Sequence, residues 1–143
     1  MNRTQARERI MQLLYQMDIQ NDYSPEIRER YLNANFQKGD HRTYAQQVSG
    51  AVADHIDEID EKLNTISSKW NTRRMAKVDL AIARLALGEI FYMEDIPDAV
   101  AINEAVDLAK KYSAEESRRF INGILGQIVK SKNESNSEPD TGN

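Results

Sequence analysis

Residues 98–126 read DAVAINEAVDLAKKYSAEESRRFINGILG, and this stretch decides the fold class. Ile102, Ala105, Val106 and Ala109 recur at the i, i+3, i+4, i+7 spacing of a buried helical stripe, and Ile121, Ile124, Leu125 and Ile128 repeat it. Two amphipathic helices therefore meet at one tight corner. Ser113-Ala-Glu-Glu116 between them has the spacing of a capping box. In that motif the serine hydroxyl accepts from the N–H of Glu116, and the glutamate reaches back to the N–H of Ser113. The corner also gathers charge, with Lys110 and Lys111 on one side and Arg118 and Arg119 on the other. The apolar stripes suit any helical bundle; the basic corner asks for a ligand.

The rest of the chain extends this pattern. Thr4 to about Gln20 reads as a first helix with Ala6, Ile10, Leu13, Leu14 and Met17 on one stripe. Arg3, Arg7, Met11 and Tyr15 form a neighbouring i+4 row, basic at its start and aromatic further on. Ser24-Pro25 starts a second helix that runs to about Phe36, and Gln37-Lys-Gly-Asp40 breaks it. From Asp40 to Ser68 helical spacing continues through Tyr44, Val48, Val52, Ile56, Ile59, Leu63 and Ile66, with a break expected near Asp54. Trp70-Asn-Thr-Arg-Arg is a connection. Ala76–Met93 is the most apolar helix. Between Val78 and Met93 only Asp79, Arg84 and Glu89 are charged, and they fall on different sides, as in the buried centre of a bundle. Gly88 inside it implies close packing, since glycine costs a helix interior about 1 kcal/mol relative to alanine. Pro97 ends that helix and Asp98 can cap the next. The last helix should fade near Lys130, leaving 131–143 as a disordered tail without a large apolar residue. No strict apolar/polar alternation competes. The expectation is an all-α chain, a single domain of about seven helices over 1–130.

Composition narrows the function. Among 143 residues, 40% are hydrophobic and 29% charged, which suits a globular domain. No apolar run approaches a membrane span, the N-terminus lacks a secretory signal's apolar core, and cysteine is absent. A cytoplasmic location is the default. Two histidines without cysteine do not make a metal site, and no HExxH, phosphate-cradling glycine loop or nucleophile elbow occurs. No catalytic residue, cofactor or metal is therefore assigned. The net charge of −4 hides two basic spots, residues 1–9 and 110–119, and an acidic run at 54–61. That run reads as a solvated face or a docking face for a basic partner. The basic spots hold phosphate-seeking cations beside Tyr15, Tyr112 and Phe120, aromatics on which bases stack. Phe120 and Tyr15 can equally be packed residues, and Glu116 can cap or accept from a base edge.

ARERIMQLLYQMDI (6–19), VDLAIARLALGEIFYMEDIP (78–97) and VAINEAVDLAKKYSAEESRRFINGIL (100–125) resemble the NusB family of bacterial transcription antitermination factors. The resemblance spans about 130 residues, and the block from Ala101 to Leu125 is its most specific part. It implies an all-α fold of two helical sub-bundles. It also implies binding to boxA RNA together with a small-subunit ribosomal protein acting as NusE, in a complex with other Nus factors on RNA polymerase. By the same resemblance Arg3, Arg7, Tyr15, Tyr112, Glu116 and Phe120 are candidate RNA contacts, with Lys110, Lys111, Arg118 and Arg119 as electrostatic support. Asp79 is the candidate contact to the protein partner. The family often carries a denser N-terminal arginine run, which Thr4 and Gln5 interrupt here. Arg73 and Arg74 stand where relatives can carry acidic residues. Some relatives form homodimers through a surface overlapping the RNA face. Competing readings are a helical adaptor without RNA specificity and an accessory domain like that attached to some ribosomal RNA methyltransferases.

Overall fold

The computed structural model describes residues 1–66 and 71–137, and among these the only regular elements are seven α-helices. They are α1 (Arg3–Gln20), α2 (Pro25–Asn35), α3 (Asp40–Asp54), α4 (Ile56–Ile66), α5 (Lys77–Tyr92), α6 (Asp98–Tyr112) and α7 (Glu115–Ser137). Helix α5 is the shared centre. It packs with α1 and α3, to which α2 adds, and also with α4, α6 and α7. Two groups of helices thus use one axis, and every residue from Asp79 to Ile90 is buried.

The local starts and stops follow from residue chemistry. Helix α1 opens at Arg3, one residue before the expected Thr4, with a capping box from Asn2. The Asn2 side chain accepts from the N–H of Gln5 at 2.8 Å, and Gln5 returns the bond to the N–H of Asn2 at 2.9 Å. It ends at Asn21, which takes the left-handed conformation (φ 50°) that asparagine tolerates. Pro25 occupies the first turn of α2. The break expected near Asp54 falls at His55, between α3 and α4, where the imidazole stacks on Tyr92 at 4.2 Å. Trp70 lies outside the described residues.

Gly88 is tightly packed. A Cβ there would stand 2.7 Å from a Val52 methyl and 3.3 Å from one of Val48, so glycine sets how closely α5 approaches α3. Of the four charged residues of α5, Lys77 is exposed, while Asp79, Arg84 and Glu89 are buried and partnered. Arg84 holds Asp60 of α4 through two bonds of 2.9 and 2.7 Å, Asp18 of α1 at 2.9 Å, and the Tyr23 hydroxyl at 3.1 Å. Burial opposes its charge, but the two carboxylates outweigh burial and raise its pKa further. One member of the acidic run, Asp60, is therefore a structural partner, while Asp54, Asp57 and Glu61 stay exposed.

Three expectations need correction. Asp98 does not cap α6 but is its first residue, after Pro97, and its carboxylate accepts from Lys132. Helix α7 does not fade at Lys130 but continues to Ser137. Lys132 anchors the added turns by donating to the Ile90 carbonyl at 2.8 Å and to Asp98 at 3.0 Å, contacts to distant elements that periodicity cannot show. The remaining tail, 138–143, lies outside the described residues. Ser113 does not sit at the N-cap of α7. It closes α6 by donating its N–H to the Ala109 carbonyl at 2.8 Å, and its hydroxyl donates to Asp79. Ala114 takes the cap place, its carbonyl accepting from Arg118 at 3.1 Å.

Candidate nucleic-acid interface

Helix α1 decides how the candidate residues are displayed. Each i+4 step advances 40° around a helix. The row Arg3, Arg7, Met11, Tyr15 therefore spirals from the core-facing side toward solvent. Met11 is 1% exposed and Tyr15 is 42% exposed. The exposed edge adjoins α6, from its middle to its C-terminal end, through a set of polar clasps. Thr4 Oγ donates to Glu104 at 3.0 Å, Lys111 Nζ meets the two Glu8 oxygens at 2.8 and 3.1 Å, and Gln12 donates to the Tyr112 hydroxyl at 3.4 Å. Segments remote in sequence thus meet on one face, through Thr4, Glu8 and Gln12 of α1 and not through a solvent-exposed arginine. Tyr15, three residues beyond Gln12, is exposed on α1, and Tyr112 is exposed at the end of α6. Tyr112 stays a neutral phenol: partial burial and then the Glu8 carboxylate both raise its pKa.

The N-terminal arginines behave differently. Arg7 is 5% exposed. Its Nε donates to Glu89 at 2.8 Å and its Nη1 pairs with Glu104 at 3.2 Å. The Tyr44 hydroxyl donates to the same Glu89 oxygen. Burial opposes the Arg7 charge, but the hydrogen bond and charge of Glu89 outweigh it. Burial and the adjacent Glu89 carboxylate push the Tyr44 pKa far up, which keeps its proton in place as donor. Arg7 is therefore not available as an exposed RNA contact. It is a core ion pair whose removal would strand Glu89, whose other oxygen has no hydrogen-bond partner among the described residues. Arg3 is half-buried, stacked over the Tyr44 ring at 4.2 Å with its Nε donating to His41 Nδ1 at 3.3 Å.

At the corner most cations carry an acidic neighbour. Lys110 lies 3.8 Å from Asp107, Lys111 is clasped by Glu8, and Arg119 bonds Glu115 at 3.0 Å. Arg118 alone among the four makes no ion pair with the described residues. Glu116 is exposed. Phe120 is half-buried and packs against the core while keeping an exposed portion. Asp79, expected at a partner surface, is 1% exposed and accepts from Ser113, so it ties the start of α5 to the corner. Glu8, Gln12 and Glu104, which complete this face, were not singled out in sequence. A carboxylate or amide on a helix carries no signal of its partner until the second helix is placed beside it.

No group of three or more His, Cys, Asp or Glu residues suited to a metal occurs among the described residues, and no described helix is long and apolar enough to cross a membrane.

The NusB family model matches residues 4–130. This chain belongs to the NusB family. It is 46% identical to the transcription antitermination protein NusB of Acetivibrio thermocellus, over 92% of this chain and 91% of that one. It is 44% identical to that of Pelotomaculum thermopropionicum, over 94% and 93%. The fold agrees. NusB of T. maritima superposes with a TM-score of 0.81 at 30% identity, covering 91% of this chain and 92% of that chain. A NusB solved as a complex of the antitermination factors NusB and NusE with double-stranded RNA superposes with a TM-score of 0.78 at 27% identity, covering 92% and 99%.

Proposed function

We propose that this chain is an antitermination factor that binds boxA RNA of nascent transcripts, notably ribosomal RNA, together with a small-subunit ribosomal protein acting as NusE. In that role it joins other Nus factors on RNA polymerase in the bacterial cytoplasm. The observation that carries the reading is the α1–α6 edge, where an exposed Tyr112 stands with Lys111 5.6 Å from its ring and both are bonded to α1, the helix that also exposes Tyr15. Aromatic faces take unstacked bases, and the cations follow the backbone. The family relation supports the choice of RNA, because a structural relative is a NusB bound to NusE and RNA.

The contacting set is Arg3, Tyr15, Lys110, Lys111, Tyr112, Glu116, Arg118, Arg119 and the exposed part of Phe120. Arg7 holds α1 in place behind them, and Asp79 holds the corner. The local pairing of Lys110, Lys111 and Arg119 leaves little free positive charge, and the whole chain is at −4. Binding by this chain alone is therefore weak and salt-sensitive, and a basic protein docked alongside strengthens it. Titrating labelled boxA RNA at fixed salt, with and without the NusE partner, tests this. The partner should tighten binding, and a scrambled RNA should bind less well. Equal affinity for boxA and scrambled RNA in both arms would instead favour a protein-only adaptor.

A further inference from the structure

The loop between α2 and α3 meets the N-terminal half of α1 around an open pocket of about 530 Å³, lined by Arg9, Asn33, Gln37, Lys38, Asp40 and His41 among others. Its chemistry is one-sided for a chain of net charge −4. Arg9 and Lys38 line it, Arg3 is bonded to His41 on its wall, and Asp40 is the single carboxylate in the lining. Lys38 is exposed and makes no hydrogen bond or ion pair with the described residues. Arg9 uses one N–H on the Asn35 carbonyl, at 2.5 Å, and its others remain unclaimed there. Because Arg3 donates to His41 Nδ1, that nitrogen is an acceptor and the imidazole proton sits on Nε2, a further donor. The amides of Asn33 and Gln37 add donors to the lining. Gly39, at φ 144°, makes the turn from which α3 starts, a conformation that strains any side chain.

We propose that this pocket is a phosphate site that takes a backbone phosphodiester of the RNA bound on the neighbouring edge of α1. The inference rests on the RNA-binding reading above and adds a contact outside the residues assigned there. Guanidinium, ammonium and neutral N–H donors around one cavity suit an oxyanion with several acceptor oxygens. Its position suits a strand crossing α1. Glu8, which clasps Lys111 on the α6 side, and Arg9, which lines the pocket, are consecutive and diverge by 100° around the helix. A strand lying over this half of α1 reaches both.

Lys38 is the residue to change, because Arg9 also caps α2 and its loss would mix binding with folding. Lys38→Ala should weaken boxA RNA binding several-fold without moving the thermal unfolding midpoint. It should also reduce the slope of log K against log salt by about 0.7, the loss of one phosphate contact on a single strand. Inorganic phosphate added to the ¹⁵N-labelled protein should shift the amides of Gly39 and His41, and Lys38→Glu should abolish the shifts. An unchanged affinity and slope in Lys38→Ala, or no phosphate-dependent shift in the wild type, overturns the proposal. Phosphate shifts with unaltered RNA binding would make this a free-phosphate site and overturn the RNA source. If the wild type binds no RNA at all, the functional reading itself fails, and the phosphate arm still judges the pocket.

Discussion

The two basic stretches have similar composition and opposite fates. At the N-terminus, Arg7 turns into the core onto Glu89, Arg3 lies on Tyr44, and Arg9 caps the end of α2. At the corner, Lys110, Lys111 and Arg119 stay in solvent and meet exposed carboxylates. The difference shows that a cation's function follows its partner and its burial, not its place in a charged run. A buried arginine next to a buried carboxylate is committed to the fold, because neither charge can be left alone in a low dielectric. An exposed ion pair is weak and can exchange its partner for a phosphate.

The largest effect should come from breaking the inward side. Arg7→Ala strands the Glu89 carboxylate and should cost about 3–5 kcal/mol in urea unfolding. A loss under about 1 kcal/mol would return Arg7 to the surface class. Next come the exposed aromatics. Tyr15→Ala and Tyr112→Ala should each lower boxA RNA affinity by about 1–3 kcal/mol, with helical circular dichroism and the unfolding midpoint unchanged. A Tyr112 variant that melts early instead would place that ring with the structural group.

The inward ion pairs also predict a pH response. Burial raises the Asp18 pKa, but Lys77 and Arg84 outweigh burial and hold it below the usual aspartate value of 3.8. A group depressed on folding contributes stability above its unfolded pKa and loses it as pH falls through the folded value. Stability should therefore hold down to about pH 4 and decline below it. Asp18→Asn should flatten that part of the acid limb while lowering stability at neutral pH. An unchanged acid limb would remove Asp18 from the account. The smallest effect belongs to the outward side. Glu8→Gln frees Lys111, so unfolding should barely register the change while RNA binding tightens modestly. Weaker RNA binding in Glu8→Gln would mean that the clasp organises the face and does not compete with the ligand.

Much of the fold was legible because it depends on local spacing. The stripe of α7, the break after α3 and the buried centre at α5 all follow from periodicity and breakers, whereas α6 buries Ala101 and Leu108 with Ala105 and Ala109 and leaves Ile102 and Val106 half-buried. The site was legible only in part. Tyr15, Tyr112 and the corner cations were identifiable as residue types that bind RNA. Sequence did not show that Gln12 would touch Tyr112, or that Lys38 and Arg9 would share a pocket. Those contacts join residues on different helices, and a helical wheel says nothing about the neighbouring helix.

By itself, then, the sequence determined an all-α chain, its central helix, and two basic stretches with aromatics beside them. Only the tertiary structure decided that Thr4, Glu8 and Gln12 of α1 meet Glu104, Lys111 and Tyr112 of α6, so that one face joins the two helices. It also decided that Arg7 belongs beneath that face and Lys111 on it. The physical reason is that both are cations on helices, with the same local preferences. What separates them is whether a carboxylate waits in the core or in water.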